Sequence, residues 1–228
     1  MKFTIQRETL LHPITQVVGV VERRQTLPVL ANFLISARGG KLSITGTDME
    51  VELITTVDAA VDSEGEATVP ARKLVDIVRM LPEGVNITAV AEGDKMTVSS
   101  GKGRYTLATL PATEFPATDQ VETLETINIQ EDKLKNLLDR TAFAMANQDV
   151  RYYLNGLLFD FHDSRLSTVA TDGHRLAMCD HDADIAVAEE RQLIVPRKGV
   201  LELSRMLSDS KDPVELALGK NHVRLVKG

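Results

Sequence analysis

The sequence predicts an α+β fold in which one domain occurs twice, each copy carrying two helices packed on antiparallel sheets. The first observation behind this is an ordered internal match. Thr47-Asp48 in KLSITGTDMEVEL returns as Thr171-Asp172 in RLSTVATDGHRLAM, and Phe3 to Leu10 (FTIQRETL) aligns with Ile127 to Leu134 (INIQEDKL) at the same offset. Val69-Pro70-Ala71-Arg72-Lys73 returns as Val195-Pro196-Arg197-Lys198-Gly199, and Met80-Leu81-Pro82 as Met206-Leu207-Ser208. A repeat of this length is a whole domain, longer than the roughly 20–50 residues of solenoid units. The second observation is that hydrophobic periods of 3.6 and 2 alternate in the same order in both copies.

Taken in order, Phe3 to Ile5 reads as a strand, and Leu10, Ile14, Val17, Val18 and Val21 form the apolar stripe of a helix. Pro13 lies inside that stripe, so the helix is expected to start late or bend there. In the second copy Leu134, Leu137, Leu138, Ala142 and Met145 repeat the stripe, with Asp132 as the expected N-cap. Strands follow at Leu30 to Ala37, Lys41 to Thr45 and Glu50 to Val57, with Gly39-Gly40 as a hairpin signal. Their counterparts are Leu154 to Phe161, Arg165 to Val169 and Arg175 to Cys179, turning at Asp163-Ser164.

A second helix starts after each Val-Pro, carried by Leu74, Ile77, Val78 and Leu81, and by Val200, Leu203 and Leu207. Closing strands are Asn86 to Val90, Lys95 to Ser99 and Arg104 to Leu110, then Val214 to Leu218 and His222 to Val226. Nothing in the second copy answers Arg104 to Leu110, so that copy is expected to be one strand short, with an unpaired edge. Pro111, Pro116 and the acidic stretch Asp119 to Glu125 break the periodicity. The expected domains are therefore 1–122 and 123–228.

With 43% hydrophobic and 26% charged residues the composition is that of ordinary globular chains, and with aromatics at 4% the cores must be aliphatic. No apolar run approaches the roughly 18 residues of a membrane span, and charge interrupts MKFTIQRE too early for a signal peptide. A single cysteine, Cys179, excludes an intrachain disulfide, and a cytoplasmic setting is expected. The net charge of −7 argues against nucleic acid only in bulk, because a local basic face can coexist with an acidic remainder.

The densest polar cluster is Thr171-Asp172-Gly173-His174-Arg175. His beside Asp suits acid–base chemistry. The first copy has Thr47-Asp48-Met49-Glu50 there, however, so the shared element is Thr-Asp, more simply a turn whose Asp accepts backbone N–H groups. The five histidines fall in no metal-ligand spacing, His181-Asp182 with Asp184 reads as a polar loop, and no phosphate loop or nucleophile elbow occurs. No cofactor and no metal are expected, and the chain does not read as an enzyme.

The basic residues are better placed. Arg23-Arg24 ends the first helix region, Arg72-Lys73 and Arg197-Lys198 open the second helices, and Arg79 and Arg205 occupy equivalent positions away from the apolar stripe. One basic face per domain suits non-specific contact with duplex DNA; the alternative is a solvated helix face. Tyr152 and Tyr153 follow Arg151 in a segment read as extended, which would leave at most one of them for the core and one exposed for stacking or an interface.

NQDVRYYLNG, VATDGHRLA and IVPRKGV, with MKFTI, RQTLPVLANFL, TGTDMEVEL, ATVPARK and TLPATEFP, resemble the bacterial DNA polymerase III beta subunits, the replicative sliding clamps. The resemblance covers essentially the whole chain. It implies the DNA-clamp fold and a processivity factor without an active site, in which two protomers of three domains close head to tail around duplex DNA. It also implies DNA contacts at Arg24, Arg72, Gln148, Arg151, Tyr152, Tyr153, Arg197 and Lys198. Asn147 stands where the family often has a histidine. The implied pocket for short linear peptides of DNA polymerase III and the clamp loader comprises Leu154, Thr171, Gly173, His174, Arg175 and Leu176. The family's third domain has no counterpart in this sequence, so the 228-residue chain alone is expected to be monomeric or at least not to close a ring. Two competing readings remain: a DNA-binding regulator, and a hydrolase centred on Asp172 and His174.

Overall fold

The computed structural model describes residues 1–21, 27–116, 123–162, 164–182, 190–220 and 222–227. The chain divides into two compact units, Met1–Ala117 and Thr118–Gly228. In the first, β1 (Lys2–Gln6) leads directly into α1 (Arg7–Val17). Strands β2 (Asn32–Arg38), β3 (Lys41–Thr47), β4 (Glu52–Asp58), β5 (Ala60–Ser63) and β6 (Gly65–Pro70) follow, then α2 (Ala71–Met80). β7 (Asn86–Glu92), β8 (Lys95–Ser100) and β9 (Gly103–Ala108) complete the unit. The strands form two antiparallel sheets, in the orders β5-β1-β7-β8-β9 and β4-β3-β2-β6.

The second unit repeats this plan with β10 (Glu125–Gln130), α3 (Glu131–Thr141), β11 (Gly156–His162), β12 (Arg165–Thr171), β13 (Leu176–Asp182) and β14 (Arg191–Pro196). It continues with α4 (Arg197–Met206), β15 (Pro213–Leu218) and β16 (Val223–Val226). Its sheet β13-β12-β11-β14 has the order of β4-β3-β2-β6, and β10-β15-β16 is the second sheet. Among the described residues β16 pairs on one side only, as the sequence comparison of the two copies leads one to expect.

Each core lies between helices and sheets. α1 buries Leu10, Pro13, Ile14 and Val17, and α2 buries Leu74, Val75, Ile77 and Val78. In the second unit Leu134, Leu137 and Leu138 of α3 share one core with Phe159 and Phe161 of β11. Each such side chain contributes about 1.5–3 kcal/mol by leaving water. Close approach has a sequence cost at Gly46, where a β-carbon would lie 2.8 Å from Val17 Cγ1 and force α1 off β3. Gly39 and Gly40 take φ of +55° and +74°, the left-handed conformations a tight hairpin turn requires.

Several sequence expectations need correction. Of the two expectations for α1, a late start or a bend at Pro13, the late start is not found: the helix begins at Arg7 and includes the proline. The bond this removes is to the carbonyl of Thr9, an exposed residue, where water can substitute. Asp132 does not cap α3; Gln130 holds the N-cap position without a side-chain bond. The free helix N–H groups are met from elsewhere in the chain, Glu131 N donating to Asp212 O (3.0 Å) and Asp132 N to Ser210 O (2.9 Å). Arg7 N likewise donates to Val85 O, 2.9 Å away.

The segments expected to open strands at Leu30 and Leu154 are 3-10 turns, Pro28–Ala31 and Tyr152–Leu154. The latter removes the extended geometry expected at the two tyrosines. His181 and Asp182 belong to β13, not to a loop, because they pair with Leu166 and Arg165, and Arg165 Nε bonds Asp182 Oδ1 at 3.1 Å. Asp163 and Asp184 lie outside the described residues. The strands β5, β6 and β14 were not anticipated.

Candidate nucleic-acid interface and peptide pocket

The Thr-Asp repeat is the same turn in both units. After β3, Asp48 Oδ1 accepts the N–H groups of Glu50 (3.0 Å) and Val51 (2.8 Å), while Thr47 Oγ1 accepts from Met49 N and donates to Val51 O. After β12, Asp172 Oδ1 accepts from His174 N and Arg175 N, both at 3.0 Å, and Thr171 Oγ1 accepts from Gly173 N and donates to Arg175 O. The backbone N–H of His174, then that of Arg175, holds the Asp172 carboxyl below its ordinary range, and the Arg175 side chain adds to this through Oδ2 at 3.0 Å. A carboxylate so engaged serves the turn as a structural acceptor. The middle residue of each turn has a positive φ, +81° at Met49 and +88° at Gly173.

The segment between α3 and β11 is closed by polar bonds. Asp149 N donates to Asn155 Oδ1 (2.9 Å) and Asn155 Nδ2 donates back to Asp149 O (2.8 Å). Arg151 grips Asp149 through Nε (3.0 Å) and Nη2 (2.9 Å), and Arg151 N adds a third bond. The Arg151 side chain, then its backbone N–H, draws the Asp149 pKa down to about 2. On this frame stand Tyr152 and Tyr153, 83% and 51% exposed, with rings edge to face at 5.9 Å. Neither is a core residue. Gln148, also exposed, has φ +59°.

The turn and the loop meet. A β-carbon at Gly173 would lie 3.1 Å from Arg151 Nη2 and 3.3 Å from Nη1, so the guanidinium lies across that glycine. Arg175 reaches the other end of the loop, donating from Nη2 to Phe143 O (2.7 Å) with its charge 5.6 Å from the Phe143 ring centre. Leu154 is half-buried beside the loop, and Leu176, at the start of β13, is 66% exposed. In the second unit, then, the structure brings together Gln148, Arg151, Tyr152, Tyr153, Thr171, Gly173, His174 and Arg175. Sequence reasoning missed Phe143, Asp149 and Asn155 as the groups that fix them. Asp149, two positions before Arg151, carried the one available signal.

The basic residues at the second helices have a local task as well. Arg72 Nη2 donates to Val21 O at 2.7 Å, and Arg197 Nη1 to Met145 O at 3.2 Å. Val21 and Met145 are repeat equivalents just beyond the first helix of each unit, yet Arg197 is the first residue of α4 and Arg72 the second of α2. Neighbouring positions thus supply one interaction: the start of the second helix tied to the end of the first. Arg79 is exposed on α2, while Arg205 on α4 is ion-paired with Glu202. Lys198 is half-exposed in the first turn of α4, and Arg24 lies outside the described residues.

Comparison with known proteins follows the repeat. The family model for the N-terminal domain of the DNA polymerase III beta subunit matches residues 1–119, and that for the central domain matches residues 128–228. The chain belongs to the DNA polymerase III beta subunit family. The beta sliding clamp of Pseudomonas aeruginosa is 53% identical over all of this chain and 62% of its own length. The crystal structure of the Pseudomonas aeruginosa DNA polymerase III subunit beta superposes with a TM-score of 0.95 at 52% identity, again over 100% of this chain and 62% of that one. A Pseudomonas aeruginosa sliding clamp bound to griselimycin gives 0.93 at 52% identity, over 99% and 61%. The chain therefore spans about three fifths of the length of these beta subunits. Among the described residues no helix is long and apolar enough to cross a membrane.

Proposed function

We propose that the chain forms two units of a replicative sliding clamp, a processivity factor that holds DNA polymerase III to duplex DNA by topology and not by chemistry. The observation that carries this is the match of both units, in order and over the whole chain, to the beta subunit family. The side chains support contacts that are weak and backbone-directed. Tyr152 and Tyr153 are displayed on a polar frame, and Arg72, Arg151, Arg197 and Lys198, together with Arg24 and Gln148, supply charge and donors suited to phosphates. An acidic total charge fits a protein that must slide. The surface of Leu154, Thr171, Gly173, His174, Arg175 and Leu176 is the proposed part of a pocket for short peptides of the polymerase and clamp loader. A head-to-tail dimer belongs to the longer protein, and the proposed compartment is the cytoplasm.

A hydrolase centred on Asp172 and His174 is disfavoured by the three bonds that occupy the Asp172 carboxylate. A sequence-reading regulator is disfavoured by the match of both units to the beta subunit family. The test is a salt titration of the chain with two duplexes of unrelated sequence. Equal affinities are expected, with log K falling linearly against log salt and the slope shrinking by about 0.9 for each phosphate contact removed. A tenfold preference for one sequence, or an affinity indifferent to salt, would overturn the reading.

A further inference from the structure

Arg151 touches both proposed contact surfaces, and the repeat shows why that matters. The turn after β3 holds Met49 at φ +81°, so this turn does not of itself demand glycine. At the equivalent place after β12 stands Gly173, and the space a side chain would take is filled by the Arg151 guanidinium, whose Cζ would lie 3.7 Å from a β-carbon there. In the second unit the absence of a side chain at this place leaves room for the guanidinium. Asp149 fixes the guanidinium through a two-pronged pair, and Asn155 fixes Asp149 in turn. The Arg175 bond to Phe143 O joins the same turn to the segment before the loop.

We propose that Asp149, Arg151 and Gly173 are positioning residues that couple the tyrosine loop to the Thr171–Arg175 turn, so that ordering one orders the other. If the loop meets DNA and the turn meets peptide, occupancy of the two surfaces is linked; that consequence rests on the functional reading above, while the tie itself does not. Arg151 is the moving part. Its bonds to Asp149 hold it over Gly173, and an anionic group arriving at either surface competes for the same nitrogens.

Amide hydrogen exchange on the full 228-residue chain tests this. Asp149→Asn removes one carboxylate oxygen from the fork and leaves Tyr152 and Tyr153 in place. It is expected to speed exchange at Gly173, His174 and Arg175 by about fivefold or more, though Asp149 bonds none of their amides. In the reverse direction Gly173→Ala, which displaces the guanidinium, should speed exchange at Asp149, Arg151 and Leu154 to a similar degree. Amides of β11 and β12 report whether the unit stays folded in each variant, and the second variant decides if the first does not fold. Changes confined to the segment that carries the substitution would overturn the proposal. Duplex affinity measured on the same samples separates the two readings. Lost coupling with duplex binding intact refutes the tie alone, and intact coupling without duplex binding refutes the functional reading alone.

Discussion

Replacing Arg72 with alanine should weaken the first unit as well as any contact with DNA. The guanidinium donates to Val21 O at 2.7 Å, and Val21 is only 1% exposed, so its carbonyl has little access to water once the donor is gone. A bond from a charged donor contributes about 1.5–3 kcal/mol, and stranding a buried acceptor costs about 1–3 kcal/mol. Because Arg72 itself is exposed and partly hydrated, the lower part of that range applies, about 1–2 kcal/mol. For a unit of this size that is a fall in Tm on the order of 4–8 °C. The assay is calorimetry of the whole chain beside Lys73→Ala, an exposed neighbour expected to stay within about 0.5 kcal/mol of wild type. If Arg72→Ala melts with the wild type, the guanidinium is not bonded to Val21 in solution, and the tie between the two helices is wrong. Duplex binding on the same samples separates the roles: the Lys73→Ala protein keeps its stability whatever happens to its affinity.

Other outcomes follow from the same geometry. Gly173→Ala should cost about 1–2 kcal/mol from its left-handed φ, whereas Met49→Gly, which relieves a similar φ but frees the unfolded chain, should stay within about 0.5 kcal/mol; urea denaturation compares them. Tyr152→Ala, at a residue 83% exposed, should leave stability within about 0.5 kcal/mol and lower the affinity for single-stranded or frayed DNA by about 5- to 100-fold in a fluorescence titration. The folded Asp149 pKa of about 2 lies below the unfolded value of about 3.9, so its contribution to stability is full above pH 4 and is lost as pH falls through 2. An NMR titration of that carboxyl with a midpoint near 4 would show the Arg151 fork to be absent. Glu131, held below its ordinary range first by Lys227 and then by Ser208 N–H, adds a loss of the same sign in acid.

How much of this was legible in the sequence depends on whether a feature is local. The Thr-Asp turns were readable because both copies carry them and the side chain bonds its own neighbours. The helix stripes were readable because Leu134, Leu137 and Leu138, or Leu74, Ile77 and Val78, recur at the helical period. What failed depended on partners distant in sequence. The start of α3 looks as if it needs Asp132 as a cap, but carbonyls of Ser210 and Asp212 serve it. β6 is rich in small residues and took its extended form from pairing with β2, a register no single strand announces. His181 and Asp182 read as loop by polarity and became strand through pairing with β12. In the candidate site the exposed tyrosines and the arginines were visible as residue types. Their arrangement was not, because the contact of Arg151 with Gly173 exists only once β12 and β13 bring the turn beside the loop. The basic positions Arg72 and Arg197 were legible as surface charge, and their carbonyl bonds to Val21 and Met145 were not.

Retention on DNA by topology is the claim everything else serves. The direct measurement completes this chain with the remaining sequence of its Pseudomonas aeruginosa relative, loads the product on nicked circular DNA with a clamp loader, and follows it in high salt before and after the circle is cut. The account predicts a protein that stays on the circle and is lost from the linear form. Equal retention on both forms in high salt, or retention on neither, would contradict it.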